Sequence, residues 1–392
     1  MTFNCLYCAQ KKPISESTLE HAVPKFLGGA QAPPHYKLHN VCRSCNNGLG
    51  LHVDGSYAKS WFVTNALASA ARKYYSGPGQ SDFLPLTCMG PVNIPGLQLP
   101  EDTVAELWLG PSGESIIWMR TDDDDLYWYT GGNPTHRKNP STVYFMPVSG
   151  DPVRLRMGTE AVIGGFKKTK ARYIFGATVG GLPPGTAYPG FDLPTVTDES
   201  NIQAIRTVIQ AGSIRAQLQM NTKFDQRFIC KMALAVGFAL FGQTYLATVE
   251  AAEARKGLWP NPEHPPRVRG SQTIFNNPQF AHVAGYEGAV VILVMQSGGS
   301  YAMSMTVDRS LPFVVELCPA TLRSEFLESA NGYSLVIFPL LQQCVEICQS
   351  KLLAHTLGHN LNAELAAIDQ IRQTASYFWE SLPSLAVQAN KT

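Results

Sequence analysis

The spacing of apolar residues changes several times along the chain. From Ser56 to Tyr74, Trp61, Phe62, Leu67, Ala70 and Ala71 recur at three- and four-residue intervals, which predicts a helix. Arg72 and Lys73 fall in its last turn, where positive charge suits the helix dipole. Ser76-Gly77-Pro78-Gly79 then breaks the pattern and marks a domain boundary. Residues 80–185 read mainly as β structure, with strands expected at Val104–Leu109, Ser115–Arg120, Leu126–Thr130, Val143–Val148 and Arg172–Thr178. The Pro-, Asp- and Thr-rich residues 186–200 read as a linker, and residues 201–256 as helical. Within them Phe224, Phe228, Met232, Ala235, Val236 and Ala239 form a helical stripe, and Arg227 and Lys231 are assigned to the wet face. Residues 257–270 are a proline-rich loop. Gly288–Met295, Ser300–Val307, Pro312–Leu317 and Tyr333–Phe338 predict one antiparallel sheet, closed by helices from about Leu340 to Ala354 and from Asn362 to Leu382. The pattern implies an α+β chain: a small unit over 1–76, then a larger mixed module over 80–392 with a sub-boundary near 186–200.

Composition narrows the setting. The 392 residues are 45% hydrophobic and 16% charged, which describes a globular chain rather than a disordered one. No apolar run is read as bilayer-spanning and no signal-peptide core opens the sequence, so a cytoplasmic protein without membrane contact is expected. Nine cysteines fit a reducing compartment. Cys230, Cys318, Cys344 and Cys348 read as small core residues, the last two one helical turn apart. The net charge of +1 excludes a histone-like binder. Its distribution is uneven: Lys11, Lys12, Lys25, Lys37, Arg43, Lys59, Arg72 and Lys73 against Glu16, Glu20 and Asp54 give residues 1–75 a charge of +5, so the remainder carries −4. A polyphosphate substrate would favour that concentration, with Lys25 and Arg43 as candidate phosphate contacts. Lys167, Lys168 and Lys170, beside Arg172, form a second basic cluster, while Asp122–Asp125 reads as a solvated hairpin loop.

The densest chemistry lies at the start. Cys5-Leu-Tyr-Cys8 and Cys42-Arg-Ser-Cys45 are two Cys-x-x-Cys pairs, the spacing of a closed tetrahedral zinc site. Such a site is structural because no coordination position stays open. Between the pairs lie Glu20-His21-Ala-Val-Pro24 and Gly28-Gly29, and Asn46 follows the last cysteine.

In combination these motifs resemble the zinc-stapled branch of the HNH, or ββα-metal, endonucleases. The resemblance implies a strand ending in the catalytic His21, a second strand over Leu38–Val41, and a helix beginning near Asn46. It implies a catalytic Mg²⁺ or Mn²⁺ beside the zinc, held by the Glu20 carboxylate and the Asn46 amide oxygen, with His21 as general base. Asn40 or His39 would brace the catalytic loop, and His52 and Asp54 are candidate supplementary ligands. The stretch Phe224–Ala233 resembles a helix found downstream of the metal site in some bacterial HNH proteins. The implied function is metal-dependent hydrolysis of DNA, with the C-terminal module regulating or targeting it. By analogy that points to anti-phage defence beside an Argonaute-like or nucleotide-sensing partner, or in a homo-oligomer. Two alternatives stay open: a non-catalytic zinc module that binds nucleic acid or protein, and a relative that cuts RNA.

Overall fold

The structure is a computed structural model that describes residues 1–79, 84–122, 140–176, 188–212, 214, 222–272, 283–327 and 332–383. The expected strand at 126–130 and most of the acidic run at 122–125 lie outside them. The chain divides into two compact units, one of residues 1–74, 130–132 and 221–372, the other of residues 75–129, 133–220 and 373–392. The break after Tyr74 falls beside the expected boundary at 76–80. The expectation that everything beyond it forms one separate module does not match this division, because residues 221–372 share a unit with the N-terminal segment.

The first unit opens with a short hairpin, β1 (Thr2–Asn4) and β2 (Lys11–Pro13), whose connection carries Cys5 and Cys8. Strands β3 (Ser17–His21) and β4 (Lys37–Cys42) pair antiparallel, and α1 (Arg43–Leu49) follows at once. A π-helical turn at Gly50–Asp54 links α1 to α2 (Gly55–Lys59), and α3 (Trp61–Arg72) completes the segment. The loop after β3 needs its two glycines. Gly28 has φ +84°, and a Cβ on Gly29 would lie 1.7 Å from the Val23 carbonyl oxygen.

In the second unit, β5 (Thr87–Pro91), β6 (Thr103–Leu109), β7 (Ser115–Thr121), β8 (Pro140–Met146) and β9 (Lys170–Phe175) form one five-stranded sheet. The β8–β9 pair is parallel, joined by the crossover helix α4 (Pro152–Phe166). Helix α4 packs Ala161, Val162 and Phe166 with Trp118 and Phe145, while α5 (Val196–Gln210) packs Ile202 and Ile205 with Ile117 and Met119. The expected linker at 186–200 therefore contains the start of a helix, closed by a capping box between Thr195 and Asp198.

The chain then returns to the first unit with α6 (Thr222–Phe241) and α7 (Val249–Leu258). Residues 222–247 are long and apolar enough to cross a membrane by length and composition, contrary to the sequence reading, but 72% of the apolar window is buried inside the structure. Strands β10 (Gly270–Gln272), β11 (Val290–Ser297), β12 (Ser300–Val307), β13 (Ser310–Pro319), β14 (Tyr333–Phe338) and β15 (Gln343–Cys348) form an antiparallel sheet in the order β10-β13-β12-β11-β14-β15. Helices α8 (Gln349–Thr356) and α9 (Ala363–Ser381) follow. The expected helix from Leu340 is thus a strand first. Cys344 and Cys348 lie opposite Ile337 and Tyr333 in the sheet rather than one helical turn apart, and both are half-buried.

Alternate residues of β11 feed the two cores of this unit, as the period of a strand requires. Val291 joins Val336, Phe338, Tyr74 and Leu365 on one side. Val290, Ile292 and Val294 join a core that also contains Leu6, Tyr7, Val23, Leu27, Leu49, Val53, Phe228, Met232 and Val236. The N-terminal segment therefore has no separate hydrophobic centre; α6 and the sheet provide it.

Candidate active site

The two knuckles converge. The Sγ atoms of Cys5, Cys8, Cys42 and Cys45 lie within 4.8 Å of one another, and Cys5, Cys42 and Cys45 are buried. Zinc–sulfur bonds of about 2.3 Å place the sulfurs of a tetrahedral site ~3.8 Å apart, so the tetrad fits zinc after a small contraction. The Cys42 backbone N–H already donates to Cys5 Sγ at 3.4 Å. A hydrogen bond from Cys45 lowers the Cys5 pKa, which favours the thiolate that a metal ligand needs. The first knuckle is gripped from α7 and its C-terminal end: Arg255 Nε donates to the Leu6 carbonyl at 3.0 Å, and Trp259 Nε1 to the Tyr7 carbonyl at 3.1 Å.

Strand β3 carries the acid–histidine pair, and its period sends the two side chains to opposite faces. Glu20 is buried and His21 is half-buried. Partial burial lowers the His21 pKa, Lys25 adds to the effect, Glu20 opposes it, and Lys37 lowers it further. The imidazole is therefore neutral at pH 7. Lys25, Lys37 and Arg43 are exposed, which leaves positive charge accessible on this segment. Lys167, Lys168 and Lys170 are exposed too, but they belong to the second unit, after α4 and at the start of β9.

Asn46 faces β3. Its Nδ2 donates to Thr18 Oγ1 at 3.0 Å and to the Leu19 carbonyl at 2.9 Å. Register shifts at this point: Thr18 lies opposite Val41 and Glu20 opposite Leu38, so His39 and Asn40 together oppose Leu19 as a β-bulge. Asn46 thus braces the irregular turn of the ladder just before His21. Asn40 is half-buried, its carbonyl accepting from Leu6 N–H at 2.7 Å, and His39 is exposed.

Glu20 is placed differently from the expectation. Its Oε1 accepts from Tyr7 Oη at 2.9 Å and lies 3.0 Å from Lys231 Nζ. Lys231 comes from the middle of α6, is 2% exposed, and also pairs with Asp54 Oδ2. Burial alone would discharge this ammonium; Asp54 and Glu20 outweigh burial and hold its pKa above the ordinary value. Burial likewise pushes Asp54 up to about 6, with Lys231 opposing, and among the described residues Asp54 Oδ1 has no hydrogen-bond partner. A carboxylate already matched by a buried ammonium and a phenol is a poor fit for Mg²⁺ or Mn²⁺, which need hard oxygen donors free of a competing cation. Of the expected ligand pair, Glu20 is tied through Oε1 to Lys231, whereas Asn46 is anchored through its amide nitrogen, and the role expected of it belongs to its amide oxygen. The same ion pair engages Asp54, an expected supplementary ligand, through Oδ2 and removes Lys231 from the wet face. Among the described residues, the cysteine tetrad is the cluster able to hold a metal through three or more His, Cys, Asp or Glu side chains.

Residues 5–62 match the HNH endonuclease family. No curated protein and no solved structure matches the chain. The N-terminal segment is thus an HNH-type segment stapled by a cysteine tetrad, as its motifs led us to expect. The match ends at Phe62, before α6 and its lysine.

Proposed function

We propose that this protein is an endonuclease that hydrolyses phosphodiester bonds of DNA at the HNH segment, with His21 as general base and zinc held by Cys5, Cys8, Cys42 and Cys45. The observation that carries the reading is His21 itself. It stands half-exposed at the end of a braced strand, with a lowered pKa and the exposed lysines Lys25 and Lys37 acting on it. A neutral imidazole in that position can take a proton from water as the oxygen attacks phosphorus. The new P–O bond forms in line with the departing 3′ oxygen, which leaves with the bonding pair and is protonated by solvent. Lys25, Lys37 and Arg43 hold the backbone by charge, without reading sequence. The divalent ion implied by the resemblance, Mg²⁺ or Mn²⁺, would supply electrostatic stabilisation of the phosphorane; Glu20 is not offered as its ligand, and no step above depends on it.

The test is nicking of supercoiled plasmid by wild type and His21→Ala in Mg²⁺, Mn²⁺ or EDTA, with labelled DNA and RNA digested side by side. His21→Ala should lose about two to four orders of magnitude in rate and keep its zinc. Cleavage at the parental rate would make His21 structural. RNA cut in preference to DNA would move the substrate class. The burial of Glu20 against Lys231 favours one second reading, a zinc-stapled module that binds nucleic acid without cutting it. That reading expects retarded plasmid with no nicking in any metal. A cytoplasmic role in phage defence, with a partner protein or a second copy, is tested by whether His21→Ala abolishes protection in a plaque assay.

A further inference from the structure

We propose that Lys231, rather than a divalent ion, is the counter-ion of Glu20, and that it serves as a positioning residue for His21. The site role rests on the nuclease reading above; the pairing does not. Three observations carry it. Glu20 and His21 are neighbours on β3 with opposite facings, so fixing the first fixes the backbone from which the second projects. Glu20 Oε1 is held from two directions, by Tyr7 from the first zinc knuckle and by Lys231 from α6. The ammonium is itself committed, bonded to Asp54 from the π-helical turn as well as to Glu20, with the Tyr7 ring 6.0 Å away.

The arrangement ties three pieces of chain to one cation. The knuckle contributes Tyr7, the catalytic strand contributes Glu20, and the turn beyond α1 contributes Asp54. A lysine buried this deeply persists as an ammonium only while its carboxylates stay beside it. A divalent ion bonded to Glu20 would sit against that ammonium in a dry interior, where repulsion is poorly screened. The residue before His21 therefore works through position, and α6 belongs to the machinery that aims the base.

The test combines stability with cleavage in the full chain, using Glu20→Gln, Lys231→Met and the double variant, all in an Asp54→Asn background so that removing the ammonium strands no second carboxylate. Each single change strands buried charge and should lower the thermal midpoint of the first unit by on the order of 10 °C. The double variant should recover at least half of that loss and bind one zinc. In plasmid nicking each single variant should lose roughly 10- to 100-fold in kcat with KM changed less than about twofold, and the double variant should be no worse than the worse single. Raising Mn²⁺ should rescue none of them. Rescue of Glu20→Gln by Mn²⁺ would make Glu20 a metal ligand and overturn the proposal. Additive stability losses would show that the residues are not paired. A double variant with the kcat of its Asp54→Asn parent would make the pair a structural tie with no effect on His21. A wild type that cuts nothing would instead remove the nuclease reading, and with it the site role, while the stability cycle alone would judge the pairing.

Discussion

Asp225 opens α6 and is 6% exposed. Burial pushes its carboxyl up to about 6. A carboxyl with a raised folded pKa binds its proton more tightly in the native state than in the unfolded one. Below about 4 both states are protonated and the residue is neutral in the balance. Between about 4 and 6 stability falls as pH rises, and above 6 the full penalty of up to about 3 kcal/mol applies. Asp225→Asn should therefore stabilise the first unit at pH 7–8 and leave it unchanged at pH 4, as measured by urea unfolding at both values. The same scale shows what the sequence did and did not reveal. Cys5, Cys8, Cys42 and Cys45 were legible because the ligand spacing is local. Lys231 was misread, although the signal was present: it falls three residues after Phe228 and four before Ala235, inside the apolar stripe rather than opposite it. What the sequence lacked was its partners, since Asp54 lies 177 residues away.

Local pattern was similarly uneven among the elements. The antiparallel sheet through β11–β14 followed from local pattern, whereas the β3–β4 pair was expected from the family resemblance. Helix α4 was read as part of a β region because Gly158, Gly164 and Gly165 weaken its propensity. Its start carried a usable signal, Asp151 as N-cap, accepting from Arg154 N–H, followed by Pro152. Packing explains one of the glycines: a Cβ on Gly158 would lie 2.7 Å from Glu114 Oε1 and 2.9 Å from Phe145 Cζ. Strand β15 was read as helix because Gln343–Cys348 is short, although Val345 and Ile347 are buried with a strand's alternation. For the zinc staple, position within the elements sets the consequence of a mutation. Cys42 ends β4 and N-caps α1, so its thiolate holds both elements to the first knuckle. Cys42→Ser should lose the one zinc per chain and cost the first unit several kcal/mol. Elemental analysis and a thermal melt check it. Retention of full zinc would mean that the tetrad is not the site.

At the scale of the molecule, the distribution of core residues decides what can fold alone. Leu6, Val23, Leu49 and Val53 share one core with Phe228, Met232, Val290 and Leu335, so residues 1–76 cannot bury their apolar face by themselves. Arg255 and Trp259 also hold the first cysteine knuckle, so a metal bound there would leave that support missing from residues 1–76 alone. The first unit is therefore discontinuous in sequence: most of the second unit falls between its two long segments, and residues 373–392 return to the second unit. Composition could not disclose this: the break at Ser76–Gly79 looks the same whether it leads to a following domain or an inserted one. A fragment of residues 1–79 should be insoluble or unfolded even with zinc. A fragment starting near Gln80 should also be unstable, because it exposes the face of α6 and the sheet that the N-terminal segment covers. Joining residues 1–79 to residues 221–383 through a short flexible linker should restore a folded, zinc-binding unit. Amide exchange and zinc content compare the three. Slow exchange in the isolated 1–79 fragment would show that the HNH segment folds autonomously, and α6 would then be a neighbour of the site rather than part of it.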